Sequence, residues 1–184
     1  MKSPLITVAL LAVVAIIGVA VWTQAGQDEE AAFLRRHGIS ATDPQEIIAQ
    51  LEAHPTKPLP YVASVTSHSL VLADDTTRLE YDLSEVGFYL SFAPYVSFTH
   101  PCYNHSLATC QGELVAEEFD VQIVTSDGVV LIDETVTTHA NGFAGVWLPH
   151  DIEATVTVDM DGRTASSWIS TAEDEATCLT DLRL

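Results

Sequence analysis

Basic residues are scarce in this chain. Seven Lys and Arg stand against 26 Asp and Glu, a formal net charge of −19 over 184 residues. Without a Lys/Arg stripe nothing can neutralise a run of phosphates, which excludes a nucleic-acid partner. The carboxylates are scattered from Asp28 onward and read as a solvated, acidic surface, not as a dedicated cation site. Catalytic signatures are missing too. There is no Gly-x-Ser-x-Gly, no His-Glu-x-x-His and no phosphate-cradling glycine loop, so the hydrolase, zinc-protease and nucleotide-binding motifs find no support. Cysteine is limited to three residues, none in Cys-x-x-Cys spacing, which removes the usual mark of a thiol–disulfide oxidoreductase. No internal repeat and no low-complexity tract interrupts the chain. On these absences no enzyme is expected.

What is present begins with an export segment. Lys2 supplies a positive start, Leu5 to Trp22 is almost unbroken apolar sequence, and Thr23-Gln24-Ala25 offers small residues for cleavage. Residues 1–25 are therefore read as a signal peptide or, because a run of about 18 apolar residues can span a bilayer, as an N-terminal membrane anchor through residues 5–22. Either reading places the rest of the chain outside the cytoplasm, in the periplasm or on the outer face of the cell membrane. In that oxidising setting an odd number of cysteines leaves one thiol over after a disulfide forms.

Residues 26–60 are expected to form a helical segment and a proline-rich linker. Asp28 to His37 carries helix formers, with Gly38 as a C-cap. Asp43-Pro44-Gln45-Glu46 is a helix start, and Ile47, Ile48 and Leu51 give that helix an apolar face. Pro55 to Pro60 is a stiff connector. From Tyr61 the period becomes two. Leu79 and Tyr81, Phe88, Leu90 and Phe92, Phe119, Val121 and Ile123, and Ala154, Val156 and Val158 alternate with polar neighbours. Asp74-Asp75, Ser126-Asp127-Gly128, Asn141-Gly142 and Asp161-Gly162 mark turns. The expected fold is mainly β (α+β): a short N-terminal helical segment, then an antiparallel β-sandwich-like domain of seven to nine strands over residues 61–184. Trp147 and Trp168 are expected in its core.

Residues 100–110 concentrate chemistry that the chain otherwise lacks. The spacing His100-x-Cys102-x-x-His105-x-x-x-x-Cys110 holds two of three cysteines and two of seven histidines. It is not a zinc-finger spacing. Thiolate and imidazole suit soft and borderline metals, and Cu(I) accepts two or three such ligands. The competing reading is a plain structural disulfide, Cys102–Cys110 or Cys110–Cys178, with histidines that are polar loop residues. The remaining histidines, His37, His54, His68, His139 and His150, are read as structural or solvated.

Several segments together resemble the CueP family. They are Phe88 to Tyr95, His100-Pro-Cys102, His105-Ser-Leu107, Cys110-Gln-Gly-Glu-Leu114, Asn141-Gly-Phe143, Trp147-Leu-Pro149 and Thr177-Cys-Leu-Thr180, with Phe33-Leu34 and His37-Gly38 in the first helix. The resemblance implies an extracytoplasmic copper-binding protein of bacterial copper resistance. It implies a metal cluster of Cys102, Cys110 and Cys178, with His105 and His100 as weaker ligand candidates; thiolate donors favour Cu(I) over Cu(II). It also implies buffering of copper or its delivery to an exported cuproenzyme or a copper exporter. Reduction of Cu(II) by the thiols would be a secondary activity. The long apolar run at the N-terminus departs from a released periplasmic protein. Two other functions compete: an exported thiol-disulfide redox protein, and a disulfide-stapled envelope-binding β domain.

Overall fold

A computed structural model of the chain describes residues 26–54 and 58–184. The signal or anchor expected over 1–25 and the start of the expected linker lie outside them. Among the described residues no helix is long and apolar enough to cross a membrane. The chain divides into two compact units, one ending at Thr42 and one running from Asp43 to Leu184. In the first, helix α1 covers residues 26–36. It stops at Gly38, whose φ of +69° suits a residue without a Cβ, and Ile39 N–H closes the end onto the Leu34 carbonyl at 2.8 Å.

The second unit opens with α2 (Pro44–Glu52). Asp43 caps it by accepting from the Gln45 and Glu46 amides, and Pro44 occupies the first turn. Its buried residues are Ile47, Ile48, Leu51 and Glu52. The sequence pattern grouped this helix with residues 26–60, but its contacts place it with the strands.

Eleven strands follow among the described residues: β1 (Val62–Val65), β2 (Ser69–Ala73), β3 (Arg78–Asp82), β4 (Phe88–Phe92), β5 (His105–Ser106), β6 (Glu118–Thr125), β7 (Val130–Thr137), β8 (Ala144–Leu148), β9 (Glu153–Met160), β10 (Arg163–Ser170) and β11 (Cys178–Leu179). They form three sheets, ordered β3-β2-β1-β5, β10-β9-β6-β7 and β11-β4-β8. All pairings are antiparallel except that of β11 with β4. The mainly β, sandwich-like class expected from the two-residue period is what forms. The Asp161-Gly162 turn joins β9 to β10 with both residues at positive φ, the geometry that suits the right-handed twist of a two-residue hairpin. Asn141-Gly142 makes no such hairpin and instead shapes the loop before β8.

A large apolar core lies between two of the sheets. Phe88, Leu90 and Phe92 of β4 and Ala144, Val146 and Leu148 of β8 meet Phe119, Val121 and Ile123 of β6 and the matching residues of β9 and β10. The outer face of β6 carries exposed Asp120 and Gln122, the one-sided burial that antiparallel sheets permit. Trp168 does not join this core. Its neighbour Ile169 points inward, so Trp168 faces out and is 60% exposed. Trp147 is half-buried and packs against Tyr89, ring centroids 5.0 Å apart.

Candidate metal centre

Strand β4 is buried along its whole length, not on alternate residues. Its second face, Tyr89 and Ser91, covers a polar pocket on the side away from the large core. Two short strands bring an imidazole and a sulfur to it. β5 places His105 against β1, with Val65 opposite His105. β11 runs parallel to β4, with Cys178 opposite Ser91. The Thr177 and Cys178 amides both donate to the Tyr103 carbonyl at 3.0 Å, which brings the C-terminal segment onto the 100–110 loop. Thr177 adds a second tie: its hydroxyl donates to the Val65 carbonyl at 2.7 Å and accepts from the His105 amide at 3.0 Å.

Cys110 is fixed by a close approach of two loops. Gly112 N–H donates to the Asn141 carbonyl at 2.6 Å, and a Cβ on either Gly112 or Gly142 would collide with the other glycine's backbone. Glycine is required at both positions because the two loops cross there without room for a side chain.

The result is a cluster of four donor groups. The ligand atoms of Cys102, His105, Cys110 and Cys178 all lie within 4.8 Å of one another. Cys102 and Cys178 are joined as a disulfide, with Cα atoms 5.6 Å apart across 76 residues of sequence. Neither pairing weighed from the sequence, Cys102–Cys110 or Cys110–Cys178, is the one formed. The parallel seating of β11 beside β4 turns Cys178 to Cys102, a long-range placement that spacing does not encode. Cys110 is the free, buried thiol, with its sulfur 3.5 Å from that of Cys102. Ala93 and Phe143 pack with Cys110 and Cys178 in a small apolar cluster. The outer rim is open at Cys102, which is half-buried beside exposed Pro101 and Tyr103.

His105 is fully buried between the sulfurs and a carboxylate. Its Nδ1 is 3.8 Å from Cys178 Sγ, and its Nε2 is 2.8 Å from Glu52 Oε1, with the ring turned off the straight hydrogen-bond line. Glu52 is held in turn. Tyr89 and Ser91 hydroxyls donate to Oε1 at 3.1 and 3.3 Å, and the Asn141 amide donates to Oε2 at 2.7 Å. Tyr89 reaches across β8 at Gly145, where any Cβ would overlap its hydroxyl. Burial alone would raise the Glu52 carboxyl; His105, Asn141 and Tyr89 outweigh it and hold the group at about 2. Burial alone would lower the His105 imidazole; the Cys110 sulfur and Glu52 outweigh it and raise the ring to about 9. Burial, reinforced by the Glu52 charge, keeps the Tyr89 hydroxyl protonated well above its ordinary range.

His100 stands apart from the four. Its ring lies on Phe143, centroids 5.9 Å apart, and its buried Nε2 has no hydrogen-bond partner. Glu52 escaped notice in the sequence. The signal was a carboxylate on the apolar face of α2, one turn after Ile48, where a solvated acid would not sit.

The donor set fits copper in chemical terms. Three sulfurs and one imidazole form a soft site, although a disulfide sulfur must be reduced to thiolate before it can serve as a ligand.

The family model described as "Periplasmic copper-binding protein CueP" matches residues 46–183. A crystal structure described as that of S.CueP is 44% identical, with a TM-score of 0.80, covering 84% of this chain and 96% of that one. None of the curated proteins matches the chain.

Proposed function

The chain belongs to the CueP family of periplasmic copper-binding proteins, and from that premise we propose that it takes up copper outside the cytoplasm as Cu(I) through the thiolates of Cys102, Cys110 and Cys178, with His105 as a further donor. The observation that carries this reading is the convergence of those four ligand atoms within 4.8 Å. Sulfurs this close can share one ion at the roughly 2.3 Å bonds that thiolates make. The protein then buffers copper or hands it to an exported cuproenzyme or a copper exporter. Half-buried Cys102 is the natural point of entry and exit.

The disulfide supports a secondary activity. Two Cu(II) ions each accept one electron, the Cys102 and Cys178 thiols lose two protons and couple as the disulfide, and two Cu(I) ions result. Restoring the metal-binding form then requires two electrons from a thiol reductant.

The test is a titration of the fully reduced protein with Cu(I) under anaerobic conditions, followed by alkylation. Bound copper with Cys102, Cys110 and Cys178 all protected is the expected result. A thiol pair that cycles while binding no copper supports the redox-protein reading instead. A Cys102–Cys178 bond that resists reduction in the folded protein supports the stapled envelope domain.

A further inference from the structure

Burying a carboxylate costs several kcal/mol unless its partners compensate. Glu52 is completely buried, and it sits at the C-terminal end of α2, where the helix dipole opposes a negative charge. Fold stability does not call for a carboxylate here, since an apolar residue would extend the face of Ile47, Ile48 and Leu51. Yet three donors from two segments, Tyr89 and Ser91 on β4 and Asn141 before β8, fix both of its oxygens. A group held so firmly at such cost is a reference point for whatever it touches, and what it touches is the His105 ring.

We propose that Glu52 is a positioning residue of the metal site: it binds Nε2–H of His105 and so makes Nδ1 the atom that ligates copper. The two ring nitrogens are not equivalent. An unprotonated Nε2 at 2.8 Å from a carboxylate oxygen would set two lone pairs against each other, so the proton resides on Nε2. Nδ1 is the nitrogen turned to Cys178 Sγ, 3.8 Å away. The His105 amide is tied to Thr177, the residue before Cys178, so ring and sulfur are set by one piece of backbone. A carboxylate on the distal nitrogen orients a ligating imidazole and raises its basicity, and its loss costs about tenfold to a hundredfold in metal affinity.

This inference rests on the thiolate site proposed above, and the experiment separates the two. Reduced full-length protein, labelled with 15N in histidine, is loaded anaerobically with Cu(I), which is diamagnetic. The expected spectrum shows His105 with its proton on Nε2 and metal on Nδ1. Coordination through Nε2, or an imidazole unchanged by loading, overturns the proposal and needs no variant. In parallel, Cu(I) affinity is measured by competition with a chromophoric chelator. Glu52→Gln is expected to weaken binding about tenfold to a hundredfold. In a His105→Ala background the same change is expected to add nothing, because its effect passes through the ring. Equal losses in both backgrounds would reduce Glu52 to a packing role and overturn the proposal. Cys110→Ser is the control. If it binds Cu(I) like the wild type, the thiolate site itself has failed; if it binds weakly while Glu52→Gln binds normally, only the role of Glu52 has failed.

Discussion

On one face of β4, Phe88, Leu90 and Phe92 join a large apolar core shared by three neighbouring strands of the opposite sheet. On the other face, Tyr89 and Ser91 donate to a single carboxylate. The first face is held by many interchangeable dispersion contacts, none directional. The second is held by a few directed bonds, each of which leaves a buried polar group stranded if its partner goes. One five-residue strand therefore serves as wall for a stability core and as scaffold for the candidate metal site. The two should fail in different ways.

The largest expected effect is on the apolar face. Phe119→Ala removes a fully buried ring of β6 and should cost about 3–5 kcal/mol of unfolding free energy. Chemical denaturation measures the loss, and Cu(I) affinity of the folded fraction should not change. A loss of affinity would show that the two faces are coupled through β4.

Next come the sulfurs. Cys178→Ser should lower the stability of the oxidised, metal-free protein by about 2–4 kcal/mol, because the disulfide closes a long loop. Cys110→Ser should leave that stability nearly intact, since Cys110 is the free thiol. Both should weaken Cu(I) binding of the reduced protein to a similar degree. If Cys178→Ser lowers the melting temperature and leaves copper affinity untouched, Cys178 is a staple and not a ligand.

A smaller effect separates the faces by pH. Glu52 is depressed from 4.5 to about 2, so its contribution is complete above 4.5 and is lost as pH falls towards 2. His105 is raised from 6.5 to about 9, so its contribution is complete below 6.5 and is lost as pH rises through 9. The pair should therefore support the metal-free fold most strongly between about pH 4.5 and 6.5. Subtracting the stability–pH curve of Glu52→Gln from that of the wild type should give a hump in this window. A flat difference would mean that the buried pair is not ionised. The smallest effect is expected at Trp168, which lies outside both cores. Trp168→Thr should shift stability by only about 0.5 kcal/mol in thermal unfolding.

The alternation of apolar residues made β4, β6 and β9 legible in the chain, and the turn at Asp161-Gly162 was legible for the same local reason. The alternation also misled. Tyr89 and Ser91 look like the solvent side of β4, but both are buried and their hydroxyls meet the Glu52 carboxylate of α2. Trp168 looks like core, yet strand parity sends Ile169 inward and the indole out. Of the site, Cys102, His105 and Cys110 were visible because they crowd one loop, and their chemistry needed no fold to be recognised. Residues 1–25 and their reading as signal or anchor belong to the sequence alone.

By itself the sequence determined the fold class, the acidic surface and the soft character of the donor set, because period, charge and ligand chemistry are local properties. Only the tertiary structure decided that Cys178 pairs with Cys102, that Cys110 is the thiol left free and that Glu52 stands behind His105. These contacts join residues tens of positions apart, and the parallel seating of β11 on β4 and the docking of α2 on the strands create them. No spacing rule carries that information, since it arises only when separate elements share one buried volume.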